Sequence, residues 1–202
     1  MTTLAVVQAG LGSPSSTQLL ATRLAEATER AVPGLEVRTT HLRDVARDIA
    51  DNLVTGFPSA RLREVVESVV GADAVIAVTP TFNMSYSGLF KSFFDVIDNQ
   101  ALVDMPVLIG ATAGTARHSL VLDYAMRPLF TYLHAVVVPT GVFAATEDFA
   151  DRRFAERVER AAGELVSLLL GPYTEVMWIL PNLLPNSSRR KTRCSTSWGR
   201  SR

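Results

Sequence analysis

Ala74-Val-Ile-Ala-Val-Thr-Pro-Thr-Phe-Asn-Met-Ser-Tyr-Ser-Gly-Leu-Phe-Lys91 holds two patterns in one run. Ala74 to Thr79 is apolar at nearly every position, as expected for a strand covered on both faces of a sheet. Pro80 stiffens the turn that leaves this strand. Phe82, Asn83 and Met84 then offer an apolar face and backbone donors suited to a planar ring. Gly88 removes a side chain where the following helix must pack closely. The same residues also fit an ordinary strand-to-helix turn with buried aromatics.

Working outward, short β-branched runs alternate with longer amphipathic stretches. Strands are expected at Leu4–Ala9, Leu35–Thr40, Ala74–Thr79 and Met105–Ala111. A fifth begins over Ala135–Pro139 and extends toward Phe143. Thr17–Ala31 carries apolar residues at helical spacing and stops at Pro33-Gly34. Ser59 can cap a helix running to Val70. Further helices are expected over Tyr86–Ile97, Ser119–Leu133 and Asp151–Leu170. Such alternation predicts a doubly wound parallel α/β sheet, with helices on both faces. In a single domain over residues 1–172, the flavodoxin-like five-strand order 2-1-3-4-5 is favoured.

Composition narrows the function. The chain has 202 residues, 48% of them hydrophobic, which suits one globular domain. No apolar run is long enough to span a bilayer. Leu4–Ala9 reads as a strand and not as a secretory signal, so a cytoplasmic location is expected, with no membrane partner. A single cysteine, Cys194, permits no intramolecular disulfide and no cysteine-based zinc cluster. Residues 1–175 hold 14 Lys+Arg against 20 Asp+Glu, a balance of −6. That argues against nucleic acid as the partner. His41 and His134 show no metal-ligand spacing, and no metal is expected.

In an open parallel sheet, ligands bind beyond the carboxyl ends of the strands. Three unusual loops follow strands one, three and four and should therefore meet. Loop one is Gly10-Leu-Gly-Ser-Pro-Ser-Ser-Thr17. It is dense in hydroxyls and opens a helix, a pattern suited to a monophosphate or to plain Ser/Thr capping. It has neither the Walker lysine nor a G-x-G-x-x-G spacing. Loop two is Pro80 to Tyr86. Loop three is Ala111-Thr-Ala-Gly-Thr-Ala-Arg-His118, where Gly114 permits a tight bend and close approach of backbone N–H groups.

These residues resemble a known family. Pro80, Thr81, Phe82, Asn83, Ser85, Gly88 and Lys91 match the P-x-[YF]-[NK]-x-S-x-x-G-x-x-K segment of NADPH-dependent FMN reductases. Ser85 to Gly88, Ala111 to His118, Leu122 to Leu129 and Gly141 to Ala144 are similar to the alkanesulfonate-type members, the reductase halves of two-component flavin monooxygenase systems. The likeness runs from residue 4 to about 170. It implies FMN and NAD(P)H as cofactors, a homodimer or homotetramer, and a flavin-dependent monooxygenase as partner. It implies phosphate contacts from Ser13, Ser15, Ser16 and Thr17. It implies isoalloxazine and ribityl contacts from Pro80, Thr81, Phe82, Asn83 and Met84. Thr112, Gly114, Thr115 and His118 would lie at the flavin edge or nicotinamide site. In the same relatives a Tyr in an irregular helix lies at a subunit interface near the flavin; the resemblance implies that role for Tyr86, with simple packing at a dimer contact as the alternative. Many members carry an Arg in loop one. This chain has none, so hydroxyls and the helix dipole would meet the phosphate, and FMN would bind loosely as a substrate.

The chemistry expected is hydride transfer from nicotinamide to flavin, with no side chain acting as nucleophile or acid. Backbone amides near Asn83 and Gly114 are the expected donors to the ring. Lys91 reads as a surface partner of Asp95, and Arg117 as solvated. Two alternatives share the fold: an FMN-bound quinone or azo reductase, and a non-enzymatic electron-transfer flavodoxin. Residues 173–202 change character, ending in an Arg/Ser-rich stretch with 6 Lys+Arg and no acid from residue 176 on. This basic tail is expected to be disordered.

Overall fold

The computed structural model describes residues 1–171; the expected basic tail lies outside the described residues. In chain order the elements are β1 (Thr3–Gln8), α1 (Ser16–Ala31), β2 (Glu36–His41), α2 (Ala46–Thr55), α3 (Ala60–Val70), β3 (Ala74–Phe82), β4 (Ser85–Tyr86), α4 (Gly88–Asp95), β5 (Pro106–Ala113), α5 (Arg127–Tyr132), β6 (Val136–Val137), β7 (Val142–Ala145) and α6 (Arg152–Leu170). The parallel sheet runs β2-β1-β3-β5-β6. β7 pairs the farther end of β5, and β4 folds back on β3. The expected 2-1-3-4-5 order is thus present, with the fifth strand in two pieces.

Side-chain alternation divides the strands between two cores. Leu4 and Val6 of β1 and Ala74, Ile76 and Val78 of β3 face α1 and α6. Ala5, Val7, Val75 and Ala77 face α2, α3, α4 and α5. All nine are buried, and a fully buried Val, Leu or Ile contributes roughly 1.5–3 kcal/mol relative to an exposed one. Three aromatic rings anchor the second core: Phe94 lies 4.8 Å from Phe90 and 4.9 Å from Phe130. Gly110 of β5 sits under α1. A Cβ there would lie 3.3 Å from Leu20 and Val78, so its absence lets α1 approach the sheet closely.

The break in the fifth strand has identifiable partners. Arg127 donates to the carbonyls of Val138 and Pro139, each at 3.0 Å. Glu164 of α6 accepts from the Thr140 N–H and hydroxyl, each at 2.7 Å. Burial raises the Glu164 carboxyl, but the Thr140 hydrogen bonds and the nearby Arg160 outweigh it and hold it below the usual carboxylate range. The backbone groups that a continuous strand would have paired are therefore met by side chains.

Three local expectations are corrected. α2 lies in a stretch between Thr40 and Ser59 for which the sequence predicts no element. Its buried residues are Ile49 and Asn52, too few to form a visible apolar stripe, and Gly56 ends it in the left-handed region at φ 77°. The helix expected from Tyr86 starts at Gly88 instead, because β3 continues through Phe82 and turns back as a hairpin. The helix expected over Ser119–Leu133 is a 3₁₀ turn (Ala116–His118), a π turn (Leu122–Met126) and α5. Pro128 has no N–H for the carbonyl of Tyr124. At this point the Arg127 N–H reaches back five residues to Leu122.

Candidate functional site

The carboxyl ends of β1, β3 and β5 lie side by side in register. Gln8 of β1 pairs Val78 of β3, and Pro80 of β3 pairs Thr112 of β5. The three loops singled out from the sequence therefore share one edge of the sheet. The end of β2 adjoins them, since His41 pairs Gln8.

Loop one is held from beneath and leaves the serines Ser13 and Ser16 at the surface. The Gln8 side chain is buried; its Oε1 accepts from the Gly10 N–H at 2.7 Å. Its amide nitrogen lies 2.5 Å from His41 Nδ1. Gly10 is required here, because a Cβ would lie 2.2 Å from Ser15 Oγ and 2.8 Å from Gln8 Oε1. Ser15 is the N-cap of α1 and accepts from the Gln18 N–H. Ser13 and Ser16 are exposed. Thr17 is turned inward: its hydroxyl lies 2.8 Å from that of Thr112, and both residues are 2% exposed. The two hydroxyls are occupied by each other, which fastens loop one to β5.

Loop two is a two-residue hairpin. Thr81 pairs Tyr86, and Phe82 pairs Ser85. Asn83 (φ 48°) and Met84 (φ 68°) both lie in the left-handed region, as a tight hairpin of right-handed twist demands. Asn tolerates that region; Met does not do so readily. The turn projects two apolar side chains outward, with Phe82 46% and Met84 63% exposed. Thr79 anchors the hairpin base. Its hydroxyl donates to the Pro80 carbonyl at 2.9 Å and accepts from the Ser87 N–H at 3.0 Å. Ser87 in turn caps α4 through the Phe90 N–H. The Thr81 hydroxyl is buried without a partner.

Loop three faces the hairpin. His118, half-buried in the 3₁₀ turn, has Nδ1 3.0 Å from the Met84 sulfur. Gly114 and Thr115 are exposed, and a Cβ at Gly114 would meet nothing within 4 Å. The arrangement is a shelf with hydroxyls and helix N–H groups at one end, an apolar hairpin in the middle and a glycine-bearing backbone at the other. It suits a flat, partly apolar ligand that carries an anion at one end.

Most of the expected site residues converge on this edge. Ser13, Ser15 and Ser16 flank the start of α1; Pro80 to Met84 form the hairpin; Gly114, Thr115 and His118 lie opposite. Thr17 and Thr112 are brought together as a buried tie. Tyr86 is a correction. It lies in β4, half-buried with its ring 5.8 Å from Phe90, and not in an irregular helix. The irregular helix is the π turn over Leu122–Met126, which carries Tyr124 at 80% exposure. Lys91 pairs Asp95 as expected. Sequence reading missed Thr79, the polar residue closing an otherwise apolar strand, and Gln8 in the same position on β1. Among the described residues no group of three or more His, Cys, Asp or Glu is placed to hold a metal, and no helix is long and apolar enough to cross a membrane.

Comparison with known proteins gives the same family. The profile of the NADPH-dependent FMN reductases matches residues 2–150. FMN reductase (NADPH) of Pseudomonas aeruginosa is 36% identical over 177 residues, 86% of this chain and 95% of that protein. The NADH-dependent FMN reductase SfnE of Pseudomonas putida is 37% identical over 165 residues, 79% of this chain and 88% of that protein. Among solved structures, an oxidoreductase of Corynebacterium diphtheriae superposes with a TM-score of 0.82 at 49% identity, covering 84% of this chain and 97% of that one. The apo NADH:FMN oxidoreductase EmoB superposes at 0.72 with 25% identity, over 82% and 89% of the two chains.

Proposed function

From a chain that belongs to the NADPH-dependent FMN reductase family, we infer an enzyme that oxidises NAD(P)H, reduces FMN and releases the reduced flavin to a flavin-dependent monooxygenase. The overall exchange balances as NAD(P)H, one proton and FMN giving NAD(P)⁺ and FMNH₂. The observation that carries this reading is the meeting of three chemically different loops on one sheet edge.

The residues fit FMN on their own chemistry. Ser13 and Ser16 are exposed hydroxyls at the N-terminus of the 16-residue helix α1, where backbone N–H groups and the helix dipole favour a phosphate. Phe82 and Met84 give the ring an apolar seat. The unpartnered Thr81 hydroxyl is a buried polar group that a ligand's hydrogen bond would satisfy. The amides of Asn83, Gly114 and Thr115 would orient the ring and meet charge that develops on it. When bound, FMN supplies the redox chemistry by accepting hydride from the nicotinamide. The protein's part is to hold the two rings against each other and exclude water between them.

Two further parts of the reading concern assembly. The role first given to Tyr86 moves to Tyr124, which sits in the π turn and is open to solvent. The second part is a homo-oligomer, as the family resemblance implies; the groove between α4 and α5, where Phe94, Ile97, Leu129, Tyr132 and Leu133 lie beside Asn99 and the Lys91–Asp95 pair, is the helical face proposed to be covered. Steady-state oxidation of NADH and NADPH, with FMN, FAD and riboflavin varied as acceptors, tests the activity. Saturable oxidation that depends on added FMN is expected. No oxidation with any acceptor would overturn the proposal.

A further inference from the structure

Loop one contains no cation. The first basic residue of the chain is Arg23, and it is engaged elsewhere. Its guanidinium donates to the Phe149 carbonyl at 2.9 Å and lies 5.4 Å from the Phe149 ring. A phosphate dianion resting on hydroxyls and N–H groups has favourable partners, and a guanidinium would add a stronger, charge-assisted one. The positive charge that does reach the loop comes from another strand. Arg43 follows β2 by two residues, in a 3₁₀ turn, and donates from Nη1 to the carbonyl of Leu11 at 3.1 Å.

The end of β2 thus grips loop one at adjacent points. His41 reaches the Gly10 N–H through Gln8, and Arg43 holds the next carbonyl. Among the described residues no carboxylate pairs with Arg43. The Leu11 contact uses one of its five N–H donors, so the guanidinium keeps both its charge and spare donors for an anion.

We propose that Arg43 is the phosphate-recognising cation of the FMN site, delivered to loop one from the end of β2, and that it lets the enzyme tell FMN from flavin without a phosphate. The assignment rests on the reading of loop one as the phosphate end of the site. An exposed cation acts through a charge that salt screens. Its contribution should therefore fall with ionic strength and be specific to the phosphorylated ligand.

The test is fluorescence titration of the full chain with FMN and with riboflavin, at low and high KCl, for the wild type, R43Q and R43K. R43Q is expected to weaken FMN roughly tenfold, leave riboflavin unchanged and flatten the salt dependence of FMN binding. R43K should lie between. Equal weakening of FMN and riboflavin would reduce Arg43 to a brace of the loop and overturn the assignment; so would FMN affinity indifferent to R43Q. Should R43Q not fold, the wild type and R43K decide the matter. FMN affinity should fall with salt while riboflavin affinity does not, and an equal response of the two ligands overturns the assignment. A wild type that binds neither flavin would contradict the proposed function itself, an outcome distinct from wild-type binding that R43Q leaves untouched.

Discussion

The hydroxyls of Thr17 and Thr112 face each other across 2.8 Å in the interior, 95 residues apart in sequence. One opens α1, and the other lies on β5. Their contact ties the loop after β1 to the strand that leads to loop three, so a buried hydrogen bond links the two ends of the shelf.

Replacing either residue by Val keeps the shape and leaves one buried hydroxyl unpaired. Each of T17V and T112V is expected to cost about 1–3 kcal/mol. The double variant should cost less than the sum, because it removes both polar groups. Chemical denaturation of the three variants measures this coupling. Strict additivity would mean that the two hydroxyls do not interact.

Gly10 is a position where no other residue fits without rearrangement. In G10A the new methyl meets Ser15 Oγ and Gln8 Oε1 at impossible distances, so the cap of α1 and the Gln8 clamp must both give way. The expected result is a loss of FMN affinity of at least tenfold with about 1–3 kcal/mol of destabilisation. Titration with FMN and a thermal melt check the two effects separately.

Met84 combines a left-handed backbone, φ 68°, with an exposed apolar side chain. M84G should relieve backbone strain of about 1–2 kcal/mol, so the fold is retained or stabilised. FMN affinity should fall, because the apolar seat loses a large side chain. Opposite movement of stability and affinity is the signature to look for. A rise or fall of both together would argue against a strained contact residue.

Glu164 makes stability depend on acid. Its carboxyl is held below its ordinary value of 4.5 when folded. Protonation is therefore easier in the unfolded chain, and the stabilisation is present in full above the unfolded value. It is lost as pH falls through the folded one. E164Q should lower stability at neutral pH by roughly 1–3 kcal/mol, with the gap between variant and wild type closing toward acid. Denaturation followed from neutral to acid pH gives the comparison.

Much of the fold was legible because the signals were redundant. β3 reads as a buried strand from its composition alone, and the three loops follow from knowing where its carboxyl end lies. What was hidden depended on backbone geometry that composition does not encode. Met84 gives no warning of a left-handed turn, since Gly or Asn would be expected at both positions. The π turn depends on a one-residue change of hydrogen-bond register at Arg127. The fifth strand breaks where Arg127 and Glu164, from distant elements, supply partners. At the site, residue identities were readable but orientation was not. Thr17 looked like a phosphate contact by position and is turned to Thr112. Arg43 lay outside every motif and reaches loop one only because β2 is the neighbour of β1.

The central claim is that FMN is turned over as a dissociable substrate. Anaerobic mixing of the 202-residue chain with a large molar excess of FMN over the chain, and NAD(P)H in excess of the FMN, followed by flavin absorbance, tests it most directly. The account predicts that all of the FMN is bleached in many turnovers per chain. Bleaching that stops at one equivalent per chain, or fails to begin, would contradict it.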